Sequence, residues 1–316
     1  VQALVIRDTS LVVEERDTPE PGPHDVLVAV HAAGINAADL MQRDGFYPAP
    51  PGWPEDIPGM ELAGVVTAVG DRVVEPLLGR RVCAVVGGGA QATHCAVPSE
   101  HLLFLPDHVE FEQAGGFPEA FTTAYDALVS QGQLHAGQRA LISGATGGVG
   151  VAGVQIAHAL GAEVIAVART TEHHDKLKAL GADVTITLDE VASLRNIDVV
   201  LELLGAAHLA LAQRTLSPFA RVVVIGVGAT GSRVEVDLLN VMRLRATITG
   251  STLRSRSREE KGEVAARVGD ALIPRWTNGE LGVPLAGVFS LHDAAAAYDF
   301  FAQPGKFGKV VLQVGE

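Results

Sequence analysis

Seven consecutive residues, Gly144-Ala145-Thr146-Gly147-Gly148-Val149-Gly150, have the types and spacing to hold a phosphate group. They form Ala145-x-Gly147-x-x-Gly150, a variant of the G-x-G-x-x-G pattern. A small residue serves the turn, and Gly147 lets the backbone approach a diphosphate. Gly150 lets the following helix sit close on the strand, and the helix start offers free N–H groups and a positive dipole end. About 20 residues further on, an acid would accept a ribose 2′-hydroxyl. Here the chain reads Arg169-Thr170-Thr171 instead. A guanidinium fork suits a 2′-phosphate and Thr170 adds a hydroxyl, so NADPH is expected over NADH.

Other chemistry-bearing residues are less organised. No Ser/His/Asp arrangement can be placed around Ser143, so a hydrolase reading is poor. The eleven histidines show no H-E-x-x-H spacing, and His173-His174 reads as a solvated helix start. Cys83 and Cys95 read as buried strand residues. Arg254, Arg256 and Arg258 read as a wet loop rather than a phosphate contact. Asn36 either caps a helix or lines a catalytic cleft, and Tyr47 either packs or lines the same cleft.

The elements around the glycines must make a strand, a loop, a helix and a strand. Residues 139–143 and 163–168 are short apolar runs, and 149–160 has helical apolar spacing ended by Gly161. That is one right-handed crossover unit. Further strands are expected at 184–187, 198–203, 221–227 and 246–251, with helices at 176–180 and about 207–216. Six strands complete a doubly wound parallel sheet. Before it, short strands at 1–6, 11–15, 25–33, 62–70, 80–86, 90–97 and 102–105 alternate with Gly/Pro turns, which suggests a partly open barrel. Residues 87–89 read as a mobile glycine turn, and 46–58 as a stiff proline-rich loop. Helices are expected at 111–116, 118–130 and 259–278, and a C-terminal return of strand, Ala-rich helix and strand at 287–312. The domain expectation is 1–118 with 253–316 as the catalytic part, and 119–252 as the nucleotide-binding part.

The 316 residues suffice for two cores, and 47% hydrophobic with 19% charged content argues against disorder. A net charge of −13 disfavours nucleic acid or an anionic membrane as partner. No secretory signal and no apolar run of about 20 residues is visible, so a cytoplasmic setting is expected.

With these elements placed, the chain resembles the medium-chain dehydrogenase/reductase superfamily over nearly its whole length. Within it, the chain resembles the zinc-independent, ζ-crystallin-like NADPH:quinone oxidoreductases. The stretches that carry the likeness are 33–52, 58–70, 115–129, 143–157 and 305–312, with Asn36, Asp39, Arg43, Gly45 and Tyr47 the most specific pattern. The resemblance implies a GroES-like catalytic domain and a Rossmann domain. It implies Asn36 and Tyr47 at the catalytic cleft. It also implies cofactor contacts from Asn36, Thr123, Ala145, Thr146, Gly147, Gly148, Val149, Arg169, Thr170, His173, Gly226, Val227, Gly228, Ser251, Leu253, Phe307, Gly308 and Lys309. Zinc-dependent relatives carry a cysteine where this chain has Ala33-Gly34, and Gly-His-Glu where it has Gly59-Met60-Glu61. No metal is therefore expected. Two positions depart from the family habit. His173 stands where a lysine is usual, which throws weight onto Arg169, and Leu188 stands where a tyrosine is usual, which weakens NADPH affinity or leaves room for NADH.

The expected activity is hydride transfer from NADPH to a quinone or an α,β-unsaturated carbonyl, which needs no metal. An enoyl-thioester reductase and a non-catalytic NADPH-binding protein are the alternatives. A homodimer is expected, because the apolar strand at 246–251 would otherwise leave an open sheet edge.

Overall fold

In the computed structural model, which describes residues 1–315, the chain divides into two compact units, Val1–Thr122 with Leu253 onward, and Thr123–Thr252. In chain order the first unit starts with β1 (Gln2–Arg7), β2 (Ser10–Glu15), β3 (Asp25–Ile35), α1 (Ala37–Arg43), β4 (Glu61–Val69), β5 (Arg81–Val85), β6 (His94–Pro98), β7 (Leu102–Phe104) and α2 (Phe111–Gly115), and the division between the units falls inside α3 (Pro118–Tyr125). The second unit carries β8 (Arg139–Ile142), α4 (Gly148–Ala159), β9 (Glu163–Val167), α5 (His174–Ala179), β10 (Val184–Ile186), β11 (Ile197–Glu202), α6 (Ala206–Ala212), β12 (Leu216–Val224), α7 (Leu238–Leu244) and β13 (Thr247–Gly250). The chain then returns with α8 (Arg258–Thr277), β14 (Leu285–Ser290), α9 (Ala294–Ala302) and β15 (Lys309–Gln313).

In the first unit seven strands form one sheet, six of them in the order β14-β15-β3-β4-β5-β7 and β6 paired to β3, while β1 and β2 form a separate hairpin. Residue alternation along β3 buries Val26, Val28 and Val30 in a core with Leu62, Val82, Val97, Tyr298 and Val310. β3 and β4 approach so closely that a Cβ on Gly64 would meet the Ala29 carbonyl oxygen at 2.0 Å. Only glycine fits there.

In the second unit the order is β10-β9-β8-β11-β12-β13, all parallel. The strand order reverses between β8 and β11. In such sheets ligands bind outside the carboxyl ends of the strands at that switch point. The strand runs are apolar on both faces because helices cover both, and Leu141, Ile165, Val200 and Val222 are fully buried.

Several sequence expectations are corrected. The segment expected as a strand over 90–97 pairs regularly only from His94. Before it, the Gln91 backbone bonds both Leu4 and Pro58 and the chain bends at Gln91 and Thr93, so no regular ladder forms there. The glycines at 87–89 are buried rather than mobile: a Cβ on Gly87 would meet the Trp53 indole at 2.5 Å. The helix expected over 207–216 ends at Ala212, and Leu216 already opens β12. The helix expected over 118–130 changes after Tyr125 into a π-helical turn, Asp126–Gln131. α7 has no counterpart among the sequence expectations.

Candidate active site

β3, β4 and β15 each deliver one polar side chain to the same spot in the first unit. Asn36 follows the end of β3 and caps α1, its backbone N–H donating to Asp39 Oδ2 at 2.7 Å. The Asn36 side chain does other work. Its Nδ2 donates to Glu61 Oε1 at 2.8 Å, and its Oδ1 accepts from Lys309 Nζ at 2.7 Å. Lys309 Nζ also donates to Glu61 Oε1 at 2.6 Å and to the Ile35 carbonyl at 3.2 Å. The remaining Glu61 oxygen accepts the Glu119 backbone N–H at 2.9 Å, near the start of α3. The Glu61 side chain is fully buried and that of Lys309 is 4% exposed. A buried ion pair survives only when its hydrogen bonds are this complete.

Strand register explains the convergence: Val310 lies opposite Ile35, so Lys309 and Asn36 meet at one end of the β15–β3 ladder. Gly34 makes the space. A Cβ there would sit 2.2 Å from Glu61 Oε1. Asp39, fully buried below Asn36, also accepts the Gly59 N–H at 3.1 Å. Burial pushes its carboxyl up to about 6, against the opposing pull of the Asn36 and Gly59 amides and of Lys309 and Arg254.

Tyr47 is half-buried and held from below by Arg254, whose guanidinium stands 4.9 Å from the ring centroid and donates to the Tyr47 carbonyl at 3.0 Å. Arg254 also bonds the Gly87 carbonyl at 3.0 Å and Gln42 Oε1 at 2.5 Å. The wet-loop reading is therefore wrong for Arg254. Arg254 is only 5% exposed, and Arg258 pairs with Asp25 and Glu100. A cavity of about 760 Å³ in this unit, walled by Trp53, Pro54, His94, His101, Arg256 and Lys261, has neither Asn36 nor Tyr47 in its lining. The site assignment rests on the hydrogen-bonded cluster and not on that cavity.

In the second unit residues 145–149, 169–170, 226–228 and Ser251 follow the carboxyl ends of their strands. Gly144 follows Ser143 after β8 with φ +56°, and Ala145 N–H bonds the Val167 carbonyl of β9 at 3.0 Å. Gly147 is the N-cap of α4 and is exposed, with Thr146, Gly148 and Val149 half-buried beside it. The Gly147 N–H closes the turn onto the Gly144 carbonyl at 3.0 Å. A Cβ on Gly150 would meet the same carbonyl oxygen at 2.3 Å. Gly150 thus packs the helix on the loop, and Gly153, whose Cβ would reach Leu201 at 2.7 Å, packs it on β11. The open backbone at Gly147 and the first-turn amides of Gly148 and Val149 fit a diphosphate. Arg169 and Thr170 are exposed just past β9. His173 is 8% exposed, which corrects the reading of a solvated His173-His174 pair. Gly226, Val227 and Gly228 follow β12, and Ser251 follows β13 with its hydroxyl on Asp126 Oδ2 at 2.9 Å. Thr123 is buried in α3. Leu253, Phe307, Gly308 and Lys309 belong to the first unit. Gly308 takes φ +92° with a Cβ position 2.0 Å from the Pro284 carbonyl oxygen, so it is confined to glycine.

Sequence alone places no partners around Ser143, yet the structure supplies Glu202 and, behind it, His208. The Ser143 hydroxyl lies 3.1 Å from Glu202 Oε1, and Glu202 Oε2 bonds His208 Nδ1. The order is wrong for a nucleophile, because the hydroxyl faces a carboxylate and not the imidazole, and all three side chains are fully buried.

Comparison with known proteins fits this arrangement. Residues 22–130 match the alcohol dehydrogenase GroES-like domain, and residues 148–268 match the zinc-binding dehydrogenase domain. The human protein named quinone oxidoreductase is 31% identical over 309 residues, covering 93% of this chain and 90% of that one. Its counterpart from Lama guanicoe is 32% identical with the same coverage. The chain belongs to the medium-chain dehydrogenase/reductase family. Among solved structures, the quinone oxidoreductase from Thermus thermophilus, determined also as its complex with NADPH, superposes with a TM-score of 0.85 at 31% identity. That match covers 99% of this chain and 100% of that one. An NAD-dependent alcohol dehydrogenase matches with a TM-score of 0.87 at 28% identity over the whole of both chains. This medium-chain reductase is an oxidoreductase of two-domain GroES-like and Rossmann build.

The zinc suggested by the second domain's description does not fit the residues present. Met60 is buried, Gly34 carries no ligand, and the Glu61 carboxylate is spent on Lys309, Asn36 and Glu119. Cys83 and Cys95 are buried, and burial raises both thiols, that of Cys95 to about 12. Among the described residues no three His, Cys, Asp or Glu side chains cluster to hold a metal ion, and no helix is long and apolar enough to cross a membrane.

Proposed function

We propose that this chain transfers a hydride from NADPH to a quinone or an α,β-unsaturated carbonyl without a metal. The observation that carries the reading is the Asn36–Glu61–Lys309 cluster. An ammonium and an amide occupy the carboxylate at the position where zinc-dependent relatives place their ligands. The nicotinamide cofactor, when bound, supplies the hydride. The chain's own residues bind and orient. The backbone amides of Gly148 and Val149 hold the diphosphate, Gly147 lets it approach, and Ala145 and Thr146 shape the turn beneath it. Arg169 and Thr170 take the 2′-phosphate, which favours NADPH over NADH, and His173 supports that strand end from its buried position. Gly226, Val227, Gly228, Ser251 and Leu253 with Thr123, Phe307, Gly308 and Lys309 complete the cofactor contacts. Asn36 is held in one rotamer by its two partners, so its outer edge is pre-oriented toward substrate. Tyr47, or a water, delivers the proton to the reduced acceptor.

The names of the relatives support this reading, since the quinone oxidoreductases are similar over nearly the full chain. A homodimer belongs to the same reading. β13 is the sheet edge, and α7 beside it in sequence leaves Leu238, Leu239 and Met242 each at least 69% exposed. Such an apolar face calls for a partner, and light scattering that returns a monomer mass would refute it. The activity test is oxidation of NADPH with a panel of quinones and enones after chelator treatment. Turnover with at least one acceptor is expected. No turnover with any of them would overturn the reading.

A further inference from the structure

One residue at the sheet's switch point holds three separate loop segments. Glu202 ends β11 and is fully buried. Its Oε1 accepts the Ser143 hydroxyl at 3.1 Å, the Leu204 N–H at 2.8 Å and the Gly205 N–H at 2.9 Å, and its Oε2 bonds His208 Nδ1. The Ser143 hydroxyl oxygen in turn accepts the Leu203 N–H at 2.6 Å. The Glu202 carbonyl accepts the N–H groups of Ile225 and Gly226, at 2.9 and 3.1 Å. Thus one amino acid bonds the residue that leads into the glycine loop, the whole β11–α6 turn, and the segment after β12. Gly205 at φ +103° packs against Val227, where a Cβ would stand 2.9 Å from Val227 Cα. Gly226 packs against Leu203, and Gly144 has the Leu203 and Leu204 side chains within 3.5 Å of its Cβ position. No slack exists among the three segments.

We propose that Glu202, with Ser143 and His208, is a positioning residue for the cofactor: it sets the glycine loop and the 226–228 segment in the geometry that receives the dinucleotide. This rests on the cofactor reading above. The Glu202 side chain has no exposed surface, so it acts only through the loops it holds. The Ser143 hydroxyl and the Leu204 and Gly205 N–H groups all donate to Oε1, which works there purely as an acceptor. An amide in place of the Glu202 carboxylate sets an NH2 group either against the three donors at Oε1 or against His208 Nδ1, and either way one of the two carboxyl oxygens that hold the loops is lost.

The test is direct titration of the full-length protein with NADPH and with NADH, following nicotinamide fluorescence, for the wild type, Glu202→Gln and Ser143→Ala. The account predicts that Glu202→Gln weakens NADPH binding by about tenfold, the worth of one buried hydrogen bond, at unchanged binding stoichiometry. Ser143→Ala follows in the same direction with a smaller change. A purely structural role would instead lower the stoichiometry, because part of the protein is unfolded, and leave the affinity of the rest unaltered; that result overturns the proposal. Wild-type affinity in a folded Glu202→Gln also overturns it. If Glu202→Gln does not fold, Ser143→Ala decides, with unchanged affinity refuting the proposal. A wild type that binds neither nucleotide refutes the cofactor reading itself, and the positioning role with it.

Discussion

Replacing Lys309 with methionine removes the ammonium while keeping most of the side chain's volume. Glu61 then keeps only the Asn36 amide and the Glu119 N–H, at 2.8 and 2.9 Å, in a place where its side chain has no exposed surface. Breaking a buried pair from one side leaves an uncompensated charge and costs about 3–5 kcal/mol. Asn36 loses its Oδ1 partner in the same step, so its rotamer is no longer fixed. The double variant Lys309→Met/Glu61→Gln removes the buried charge, and the new amide oxygen can still accept from Asn36 or Glu119. It is expected to recover about 2 kcal/mol relative to the sum of the two single losses. The assay is urea unfolding of the two singles and the double, followed by tryptophan fluorescence. Trp53 and Trp276 both lie in the first unit and report on it. Additivity within about 0.5 kcal/mol would refute the idea that Lys309 and Glu61 form one coupled buried pair.

Arg169→Ala is expected to weaken NADPH binding by about tenfold, the worth of a charge-assisted contact, and to leave NADH binding unaltered, read by paired titrations. An unchanged preference would remove Arg169 from the 2′-phosphate. Gly150→Ala drives a Cβ to 2.3 Å from the Gly144 carbonyl. It should cost about 1–3 kcal/mol of stability and abolish measurable nucleotide binding, whereas Gly279→Ala, where a Cβ would meet nothing within 4 Å, tests backbone strain alone. Asp39 has its folded-state carboxyl raised from 3.8 to about 6, so the folded state binds this proton more tightly than the unfolded state. Its contribution is full below about pH 4 and lost as pH rises through about 6, a change of about 3 kcal/mol. The unfolding free energy of the wild type minus that of Asp39→Asn should therefore fall over that window; a flat difference would show that the carboxyl is not raised.

The parts of the protein legible in sequence are those whose signals are local. The strand–loop–helix around Gly147 is readable because period, glycine spacing and length agree over about 30 adjacent residues, one crossover unit. Both cysteines are legible as buried strand residues from their apolar neighbours. The cluster at Asn36 is only half legible. The family pattern points to Asn36 and Lys309, but Glu61 stands out only as the remnant of a lost zinc motif. Nothing local says that a lysine 248 positions away will bond it. Arg254 misleads for the same reason, since its partners Gln42, Tyr47 and Gly87 are 212, 207 and 167 positions away. Ser143 illustrates the converse. Its partner Glu202, with His208 behind it, comes from the far side of a crossover, and only parallel pairing of β8 with β11 places it. α7 escapes a sequence reading because LLNVMRL is apolar on the face it leaves exposed, so burial gives no helical stripe.

The central claim is metal-free delivery of a hydride from a nucleotide held at the start of α4. Its most direct test is one turnover of chelator-treated protein with NADPH deuterated at the transferring position and an enone acceptor, with the product read by mass spectrometry. The account predicts carbon-bound deuterium at the β-carbon of the saturated product, in a reaction unchanged by added zinc. Product free of deuterium, or turnover that appears only when zinc is restored, would contradict it.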